Sequence, residues 1–390
     1  MVINQKMHRM KQVSVKFKPS KHSAHNVTKS IQEIMKLLDT YLCLHGLTCM
    51  AKFKWTCKNF VLFCVSKLFI VINVINHIFF LFIRCLALLK SSHSGRDYII
   101  FVTISLMEFF LMLLFFSKRS ELKDLIRFMV KIYPITKSHS ILKIKKVIIL
   151  MLLLNDIFIL LISFSYIGDK ISEQNFEYLK ELKISPHFFS ILHACIFMDM
   201  WGYITPYIPI YFCCFCYVFR KIILELNEKF SKQALVKFDL IDEMYKKVLL
   251  LNTNINKTFH TMVFTTILII SGRLLYHTYS IVFSRSFMGS VNLVYRFANI
   301  VFSLTRFLII CVFAASVSAA ANEFKNSIHD VPMKMNERWK YLRVAMKMNE
   351  NFIGFKLLDS VKVDKSLFIA LLGSLMSYGI IIATFNVNIM

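Results

Sequence analysis

The chain has few helix-breaking residues and few acidic ones. Its 390 residues include only nine Gly and six Pro, too few for long disordered linkers, and it has no low-complexity tract or internal repeat. Asp and Glu total 23 against 48 Lys and Arg, so the formal net charge is +25. That charge would suggest nucleic acid, but the basic residues lie between long apolar blocks. The pattern therefore indicates a membrane protein.

The sequence also lacks the motifs of catalysis and of tightly bound cofactors. It has no Gly-rich phosphate loop, no His-Glu-x-x-His, no Gly-x-Ser-x-Gly and no His–carboxylate pair at catalytic spacing. None of the ten Cys falls in a segment expected outside the cell, which argues against a disulfide framework. The cluster Cys213-Cys214-Phe215-Cys216 lies in an apolar span without a nearby His. A metal site there is one interpretation, and buried thiols acting as small hydrophobes are favoured. We expect no enzymatic activity, no cofactor and no metal.

Long hydrophobic runs dominate what is present. The chain is 56% hydrophobic and 14% aromatic, with a mean hydropathy of +0.57. Runs of about 20 apolar residues predict seven transmembrane helices. They cover residues 62–89, 98–116, 147–166, 188–218, 262–283, 291–321 and 366–386. Pro206 and Pro209 predict a bend in the fourth. The expected fold class is thus an all-α polytopic membrane protein.

The basic residues between the spans predict its orientation. Lys and Arg number 11, 9, 8 and 9 in segments 1–61, 117–146, 219–261 and 322–365, but only 2, 3 and 1 in the alternate loops. The positive-inside rule then gives a cytoplasmic N-terminus, and seven spans give an extracellular C-terminus. No signal peptide is predicted, because residues 1–58 are basic and only weakly apolar. Two sequons, Asn26-Val27-Thr28 and Asn256-Lys257-Thr258, fall on the inner side, so we expect neither to carry a glycan.

The inner segments contain helical apolar patterns. Residues 222–259 place Leu226, Phe230, Phe238, Ile241, Tyr245 and Leu249 among charges without Pro or Gly, so the fourth and fifth helices are expected to continue past the membrane. Residues 337–356 predict another amphipathic helix before the last span. One interpretation is a solvated hairpin on the anionic inner leaflet. We favour a packed domain, because the apolar face is too long to leave in water.

Charged and aromatic residues inside the spans mark a candidate ligand pocket. Six ionisable residues lie deep in spans: Glu108, Asp156, Asp199, Arg273, Arg296 and Arg306. Such groups suggest function, although three carboxylates and three guanidiniums would also neutralise one another structurally. The candidate pocket residues are His193, Asp199, Trp201 and Tyr203 in the fourth span and Tyr276, His277 and Tyr279 in the fifth. Aromatic walls with a few polar groups suit a small molecule, but an interfacial aromatic belt would use the same residue types.

The last span carries the most specific motif. Residues 366–390 contain no Lys, Arg, Asp or Glu, and Gly373, Ser377 and Thr384 recur down one side of the helix. Close helix packing through small residues is one interpretation. The motif Ser377-Tyr378-x5-Thr384-Phe385 resembles the last helix of insect gustatory receptors, whose pattern is Thr-Tyr, five hydrophobic residues and Gln-Phe. Tyr378 and Phe385 match that pattern, Ser377 replaces one hydroxyl residue with another, and Thr384 departs from the family's Gln.

The resemblance implies a specific function. By its resemblance to insect gustatory receptors, the chain is expected to be a seven-helix, ligand-gated, non-selective cation channel. Such channels assemble as homo- or heterotetramers in the plasma membrane of chemosensory neurons. The resemblance implies that the last helix lines the pore, with Ser377, Tyr378, Thr384 and Phe385 at the pore or gate. It also implies a small-molecule tastant as ligand and self or related subunits as partners, besides membrane lipid and conducted cations. Nucleic acid is not expected as a partner.

These expectations divide the chain into four parts. They are a cytoplasmic N-terminal segment (1–61), a six-helix bundle with the candidate ligand pocket (62–321, with cytoplasmic helical extensions at 219–261), an amphipathic anchor segment (322–365) and a pore-lining last helix (366–390). The main alternative is an odorant receptor subunit of the same superfamily. A G-protein-coupled receptor would need the opposite orientation, and a transporter would show repeats or broken helices.

Overall fold

The computed structural model describes six stretches of the chain: residues 95–132, 207–232, 238–283, 290–329, 351–357 and 360–387. It also describes single helical positions at 78, 146, 149, 150, 153, 157, 346, 347 and 350. The elements in these stretches are helices α1 (Gly95–Ile132), α2 (Tyr207–Lys232), α3 (Phe238–Phe283), α4 (Ser290–His329) and α5 (Lys365–Val387), with strands β1 (Lys356–Leu357) and β2 (Val361–Lys362) between α4 and α5.

The described helices agree with the predicted spans where the two can be compared. The predicted spans 98–116, 262–283, 291–321 and 366–386 lie within α1, α3, α4 and α5. Only the end of span 188–218 falls in α2, and spans 62–89 and 147–166 lie outside the described residues except at a few helical positions. In the part of the chain that the structure describes, three helices are long and apolar enough to cross a membrane: Tyr207–Glu228, Asp242–Ile281 and Leu293–Ser327. The protein is therefore helical with apolar spans.

Four of the described helices, α1 to α4, are longer than a bilayer requires. Helix α3 has 46 residues and is therefore about 69 Å long, more than twice the roughly 30 Å of a hydrocarbon core. Its first half buries a continuous face made of Tyr245, Val248, Leu251, Ile255 and Phe259. Helix α2 likewise continues to Lys232. Helices α2 and α3 thus extend beyond the predicted spans 188–218 and 262–283, and the described apolar face in the first half of α3 is packed.

The core lies between α2, α3 and α4, with α1 packed along α3. Phe259 of α3 contacts Phe212 and Phe215 of α2, with ring centroids 5.6 and 5.0 Å apart. Phe355, just before β1, adds an edge-to-face contact with Phe212 at 4.7 Å. Such ring pairs stabilise a core beyond their area burial. The β1–β2 hairpin is therefore anchored to the helices that form the core.

The predicted helix 337–356 is wrong at its C-terminal end. Residues 346, 347 and 350 are helical, but residues 351–355 are not and β1 begins at Lys356. Gly354 has a φ of 156°, and a Cβ added there would lie 2.4 Å from Ser318 Oγ of α4. Only glycine fits this backbone shape and this close approach. The chain therefore leaves the helix and runs extended along α3.

Two asparagines of α3 hold this extended segment. Asn252 Nδ2 donates to Phe352 O (3.3 Å), and Gly354 N donates to Asn252 Oδ1 (3.0 Å). Asn256 Nδ2 donates to Gly354 O (2.8 Å), and Lys356 N donates to Asn256 Oδ1 (3.1 Å). Asn252 and Asn256 are four residues apart, which is a rise of about 6 Å along a helix. Their backbone partners are two residues apart, which is about 6.6 Å along an extended chain, so the two spacings match. We call this set, Asn252 and Asn256 with the backbone of 352–356, the asparagine clamp.

The hairpin leads directly into α5. β1 and β2 pair antiparallel, with Lys356 opposite Lys362 and Leu357 opposite Val361. Asp364 then caps α5, because its Oδ1 accepts hydrogen bonds from the backbone N–H groups of Ser366 (2.9 Å) and Leu367 (3.1 Å). The start of the last helix is thus fixed by the cap, the hairpin and the asparagine clamp.

Candidate functional site

A buried polar cluster lies between α3 and α4. On each helix the polar residues recur at intervals of three or four, which places them on one face. All of them are buried: Arg273, Tyr276, His277 and Ser280 on α3, and Tyr295, Asn299, Ser303 and Arg306 on α4. The two faces meet among otherwise apolar residues. We call these eight residues the polar cluster.

An ion pair joins this cluster to α1. Glu108 of α1 and Arg273 of α3 are both buried, and the guanidinium donates to the Glu108 carboxylate. A buried ion pair needs close geometry to offset the cost of removing both charges from water. Glu108 and Arg273 therefore fit the interpretation that intramembrane charges neutralise one another and stabilise the structure. Asp156 and Asp199 lie outside the described residues.

Aromatic rings accommodate the other two arginines. The Arg306 guanidinium carbon lies 3.4 Å from the ring centroid of Phe302, one turn earlier on α4. The Arg296 guanidinium carbon lies 5.4 Å from the ring centroid of Tyr276 on α3. Cation–π contacts of this kind are strongest where water is excluded. The cluster thus combines positive charge with aromatic faces.

His277 is the most deeply buried member of the cluster, with 1% of its surface exposed. Its ring lies between two tyrosines, with centroids 5.2 Å from Tyr276 and 5.9 Å from Tyr295. Neither Nδ1 nor Nε2 has a hydrogen-bond partner among the described residues. Buried polar groups nearly always have such partners, so this imidazole calls for a functional explanation.

The structure describes three of the seven predicted pocket residues. Tyr276 and His277 are buried side by side, while Tyr279 is half-buried. The other four predicted residues, His193, Asp199, Trp201 and Tyr203, lie outside the described residues. The prediction missed Tyr295, Asn299 and Ser303 of α4. Their spacing of four inside an apolar span is the signal that would have identified them.

The last helix presents its hydroxyl groups away from its own subunit. Ser377 and Thr384 are exposed, and Tyr378 has 60% of its surface exposed. The hydroxyls bond only to their own helix: Ser377 Oγ donates to Gly373 O (2.9 Å) and Thr384 Oγ1 to Ile381 O (2.8 Å). Phe385 follows in the same helix. Within the described part of the chain, a Cβ added at Gly373 would meet no atom within 4 Å, so there is open space at this position.

Among the described residues, the contacts of α5 with the other helices come from its first half. Phe368 contacts Phe307 of α4 with ring centroids 5.5 Å apart, and Leu371 and Leu375 pack against the core. Beyond them, Ile380 has 65% of its surface exposed. The residues of the second half whose burial is described are therefore exposed in this chain.

Comparison with solved structures identifies the fold. The chain superposes on the insect olfactory receptor OR5 from Machilis hrabei in complex with eugenol, with a TM-score of 0.72 and 11% sequence identity. The match covers 92% of this chain and 99% of the receptor. The chain has the insect olfactory receptor fold. A second structure of the same receptor gives a TM-score of 0.65 at 10% identity, over 91% of this chain and 98% of that one.

The olfactory receptor fold confirms the predicted resemblance at the level of architecture. The solved structures with this fold are receptors, which is consistent with the expectation from the sequence that the chain is not an enzyme. No protein-family model and no curated protein sequence matches the chain. At 11% identity the shared pattern lies in the arrangement of helices and not in the individual side chains.

Proposed function

We propose that this protein is a ligand-gated, non-selective cation channel, a gustatory receptor of the insect chemoreceptor superfamily. It works as a tetramer, alone or with related subunits, in the plasma membrane of chemosensory neurons. The observation that carries the proposal is the exposure of Ser377, Tyr378 and Thr384 in the second half of α5. An apolar helix that exposes these residues within its subunit is suited to pack against other subunits.

The proposed conduction path follows from the geometry of α5. One helix cannot enclose a pore, but four copies around an axis would form rings of Ser377, Thr384 and Phe385. Ser377 and Thr384 are seven residues apart, two helical turns, so they share a face about 10 Å in length. Hydroxyl oxygens offer ligands to a passing cation, and a ring of Phe side chains blocks ions by dewetting.

The polar cluster is the proposed site of ligand recognition. His277 offers a buried donor or acceptor between two tyrosine rings, which suits a small aromatic molecule with a hydroxyl group. The olfactory receptor of the same fold was solved in complex with eugenol, a ligand of this chemical type. A ligand that binds the open arrangement better than the closed one shifts the population toward conduction.

The second candidate function is an odorant receptor subunit. The likeness to an olfactory receptor structure favours it, whereas the last-helix motif favours a gustatory receptor. Expression of this chain alone in cultured cells, with calcium imaging against panels of tastants and odorants, separates the two. A response to tastants alone supports the gustatory assignment, and a response to odorants alone contradicts it.

The gate is tested with Phe385→Ala. Removing the ring should raise basal current or lower the ligand concentration for half-maximal opening, because the hydrophobic barrier is lost. Met376→Ala is the matched control, since nine residues place it on the opposite side of the helix, where its side chain is exposed. Unchanged basal current and dose response in Phe385→Ala, at equal surface expression, would show that this residue is not the gate.

A further inference from the structure

Two histidines of α3 differ in how their ring nitrogens are used. His260 Nδ1 lies 3.1 Å from the carbonyl oxygens of Asn256 and Lys257. Its Nε2 lies 2.9 Å from the hydroxyl oxygen of Thr261. Both nitrogens of His277, by contrast, are buried and have no hydrogen-bond partner among the described residues. An unsatisfied buried group costs stability, so a group from outside the chain that bonded to His277 would recover this cost.

Two aromatic rings flank the imidazole of His277. The rings of Tyr276 and Tyr295 both meet it edge to face, with interplanar angles of 71° and 82°. Aromatic rings prefer offset or edge-to-face arrangements of this kind. The ring of a bound aromatic molecule can therefore join this group through the same type of contact. The surroundings of His277 thus favour a ligand that combines an aromatic ring with one polar group.

The chemistry of imidazole indicates which polar group this is. In the neutral ring one nitrogen donates and the other accepts, and either nitrogen can carry the hydrogen. A carbonyl group bonds only to the nitrogen that carries the hydrogen, and an ammonium group bonds only to the other one. A hydroxyl group both donates and accepts, so it can bond to either nitrogen in either form. Of these three groups, the hydroxyl therefore suits His277 best.

We propose that His277 is the specificity-determining residue of the ligand site, and that it selects phenols over aromatic molecules of the same shape without a hydroxyl group. The inference rests on the proposed ligand site in the polar cluster. A methyl group in place of the hydroxyl fills a similar volume but leaves the imidazole nitrogen unsatisfied. Sites that hydrogen-bond a hydroxyl reject such analogues for this reason.

Binding of two matched probes to the purified full-length protein tests the selection. The probes are 4-fluorophenol and 4-fluorotoluene, in which a methyl group replaces the hydroxyl. Ligand-observed fluorine NMR in neutral detergent gives the apparent affinity for each, with protein-free detergent as the background. The wild type should bind the phenol at least about tenfold more tightly, which corresponds to about 1.4 kcal/mol and to one hydrogen bond. We call the ratio of the two affinities the phenol preference.

Three variants assign the phenol preference to His277. His277→Phe keeps an aromatic ring but removes both nitrogens, so the preference should be lost. His277→Gln, whose amide both donates and accepts, should keep a preference for the phenol. His260→Phe is the matched control on the same helix, and it should keep the wild-type preference. Partition of the probes into detergent is the same for all variants and cancels in the comparison.

The outcomes separate this inference from the proposed channel function, because binding is measured without ion conduction. Equal binding of the two probes by the wild type, or no binding of either, would overturn the role of His277. An unchanged preference in His277→Phe, or an equal loss in His260→Phe, would overturn it as well. Loss of the preference in His277→Gln would overturn hydrogen bonding as its basis. A preference that depends on His277 in a protein that passes no current would contradict the channel and support the site.

Discussion

Glu108 and Arg273 tie two helices together through a single buried contact. They are 165 residues apart in the sequence, and neither side chain is accessible to water. Breaking a buried pair leaves a buried charge without its counter-ion, which costs about 3–5 kcal/mol. The pair thus has a structural role, because it joins α1 to α3. The proposed ligand function of the neighbouring polar cluster depends on this role.

Glu108→Gln should therefore lower the free energy of unfolding by about 3–5 kcal/mol, measured by chemical denaturation in detergent. Glu121→Gln on the same helix is the control, because Glu121 pairs with Lys118 at 2.9 Å near the surface. Exposed pairs contribute about 0–1 kcal/mol. Similar losses in both variants would contradict the structural role of the buried pair.

Asp364 makes the start of α5 sensitive to acid. The hydroxyl of Ser366 donates a hydrogen bond to the Asp364 carboxylate, and this bond lowers the pKa of Asp364 from its ordinary value of 3.8. The backbone N–H groups of Leu367 and Ser366 and the charge of Lys362 lower it further. A pKa that is lower in the folded state stabilises the fold above the unfolded pKa. The stabilisation is lost as the pH falls through the folded value.

The difference in stability between the wild type and Asp364→Asn should therefore be constant from about pH 7 to about pH 5. Below about pH 4 it should shrink, because the aspartate becomes protonated and the asparagine does not titrate. Thermal melting of both proteins across this range measures it. A difference that stays constant down to about pH 3 would show that Asp364 has no lowered pKa.

At the residue scale the sequence identified unusual charged and polar side chains in the apolar helices. It did not identify the contacts that these side chains make with one another. Glu108 and Arg273 stood out because charges are rare in apolar spans, and His277 because it lies among aromatics. Their partners were not predictable, since contacts between α1, α3 and α4 depend on how whole helices pack. Polar residues of α4 such as Asn299 were missed because they are uncharged, although their spacing carries the same signal.

At the scale of elements, the asparagine clamp connects the long helix α3 to the last helix. Each asparagine amide both donates and accepts, as a peptide group would in a neighbouring strand. Removing one leaves a backbone carbonyl and a backbone N–H without partners, and each unsatisfied buried group costs about 1–3 kcal/mol. The clamp therefore positions the hairpin more firmly than its two short strands can.

Asn256→Ala should speed amide hydrogen exchange of Lys356, because this N–H donates to Asn256 Oδ1. Mass spectrometry of a peptide covering residues 351–357 measures the effect, and the exchange rate should rise at least about tenfold if the lost bond contributed about 1.4 kcal/mol. Thr253→Ala is the control, because the exposed Thr253 hydroxyl bonds only to Leu249 O of its own helix. Equal exchange in both variants would show that the clamp does not hold the segment.

The elements differ in how far the sequence predicted them. Long apolar runs predicted α3, α4 and α5, because the length and the hydrophobicity of a run can be read directly from the sequence. The hairpin was missed because two-residue strands carry no alternating pattern. The apolar spacing through Phe352 predicted a helix that does not continue to Gly354. The close approach of Gly354 to Ser318 exists only in the packed structure, so the sequence did not reveal it.

For the whole molecule, orientation in the membrane is the main prediction that the fold leaves open to experiment. Asn256 belongs to a sequon on the predicted inner side, and its Nδ2 already donates to Gly354 O at 2.8 Å. A glycan on that nitrogen would disrupt the clamp. We therefore expect no glycan at Asn256 in the folded protein, for both topological and structural reasons.

Glu177→Thr provides the positive counterpart, because it creates the sequon Asn175-Phe176-Thr in a loop predicted to lie outside. This variant should migrate more slowly on a gel, and glycosidase treatment should reverse the shift. The wild type should show no shift. A glycosidase-sensitive shift in the wild type that disappears in Asn256→Gln would reverse the predicted orientation.

The separation of α5 into a packed half and an exposed half also bears on how such receptors diversify. The exposed residues beyond Leu375 make few contacts within the described part of the chain, so substitutions there escape selection for its folding. In the proposed channel, the lining of the passage and the recognition of chemicals would then evolve independently, and Thr384, where the gustatory receptor pattern has Gln, would be one such position.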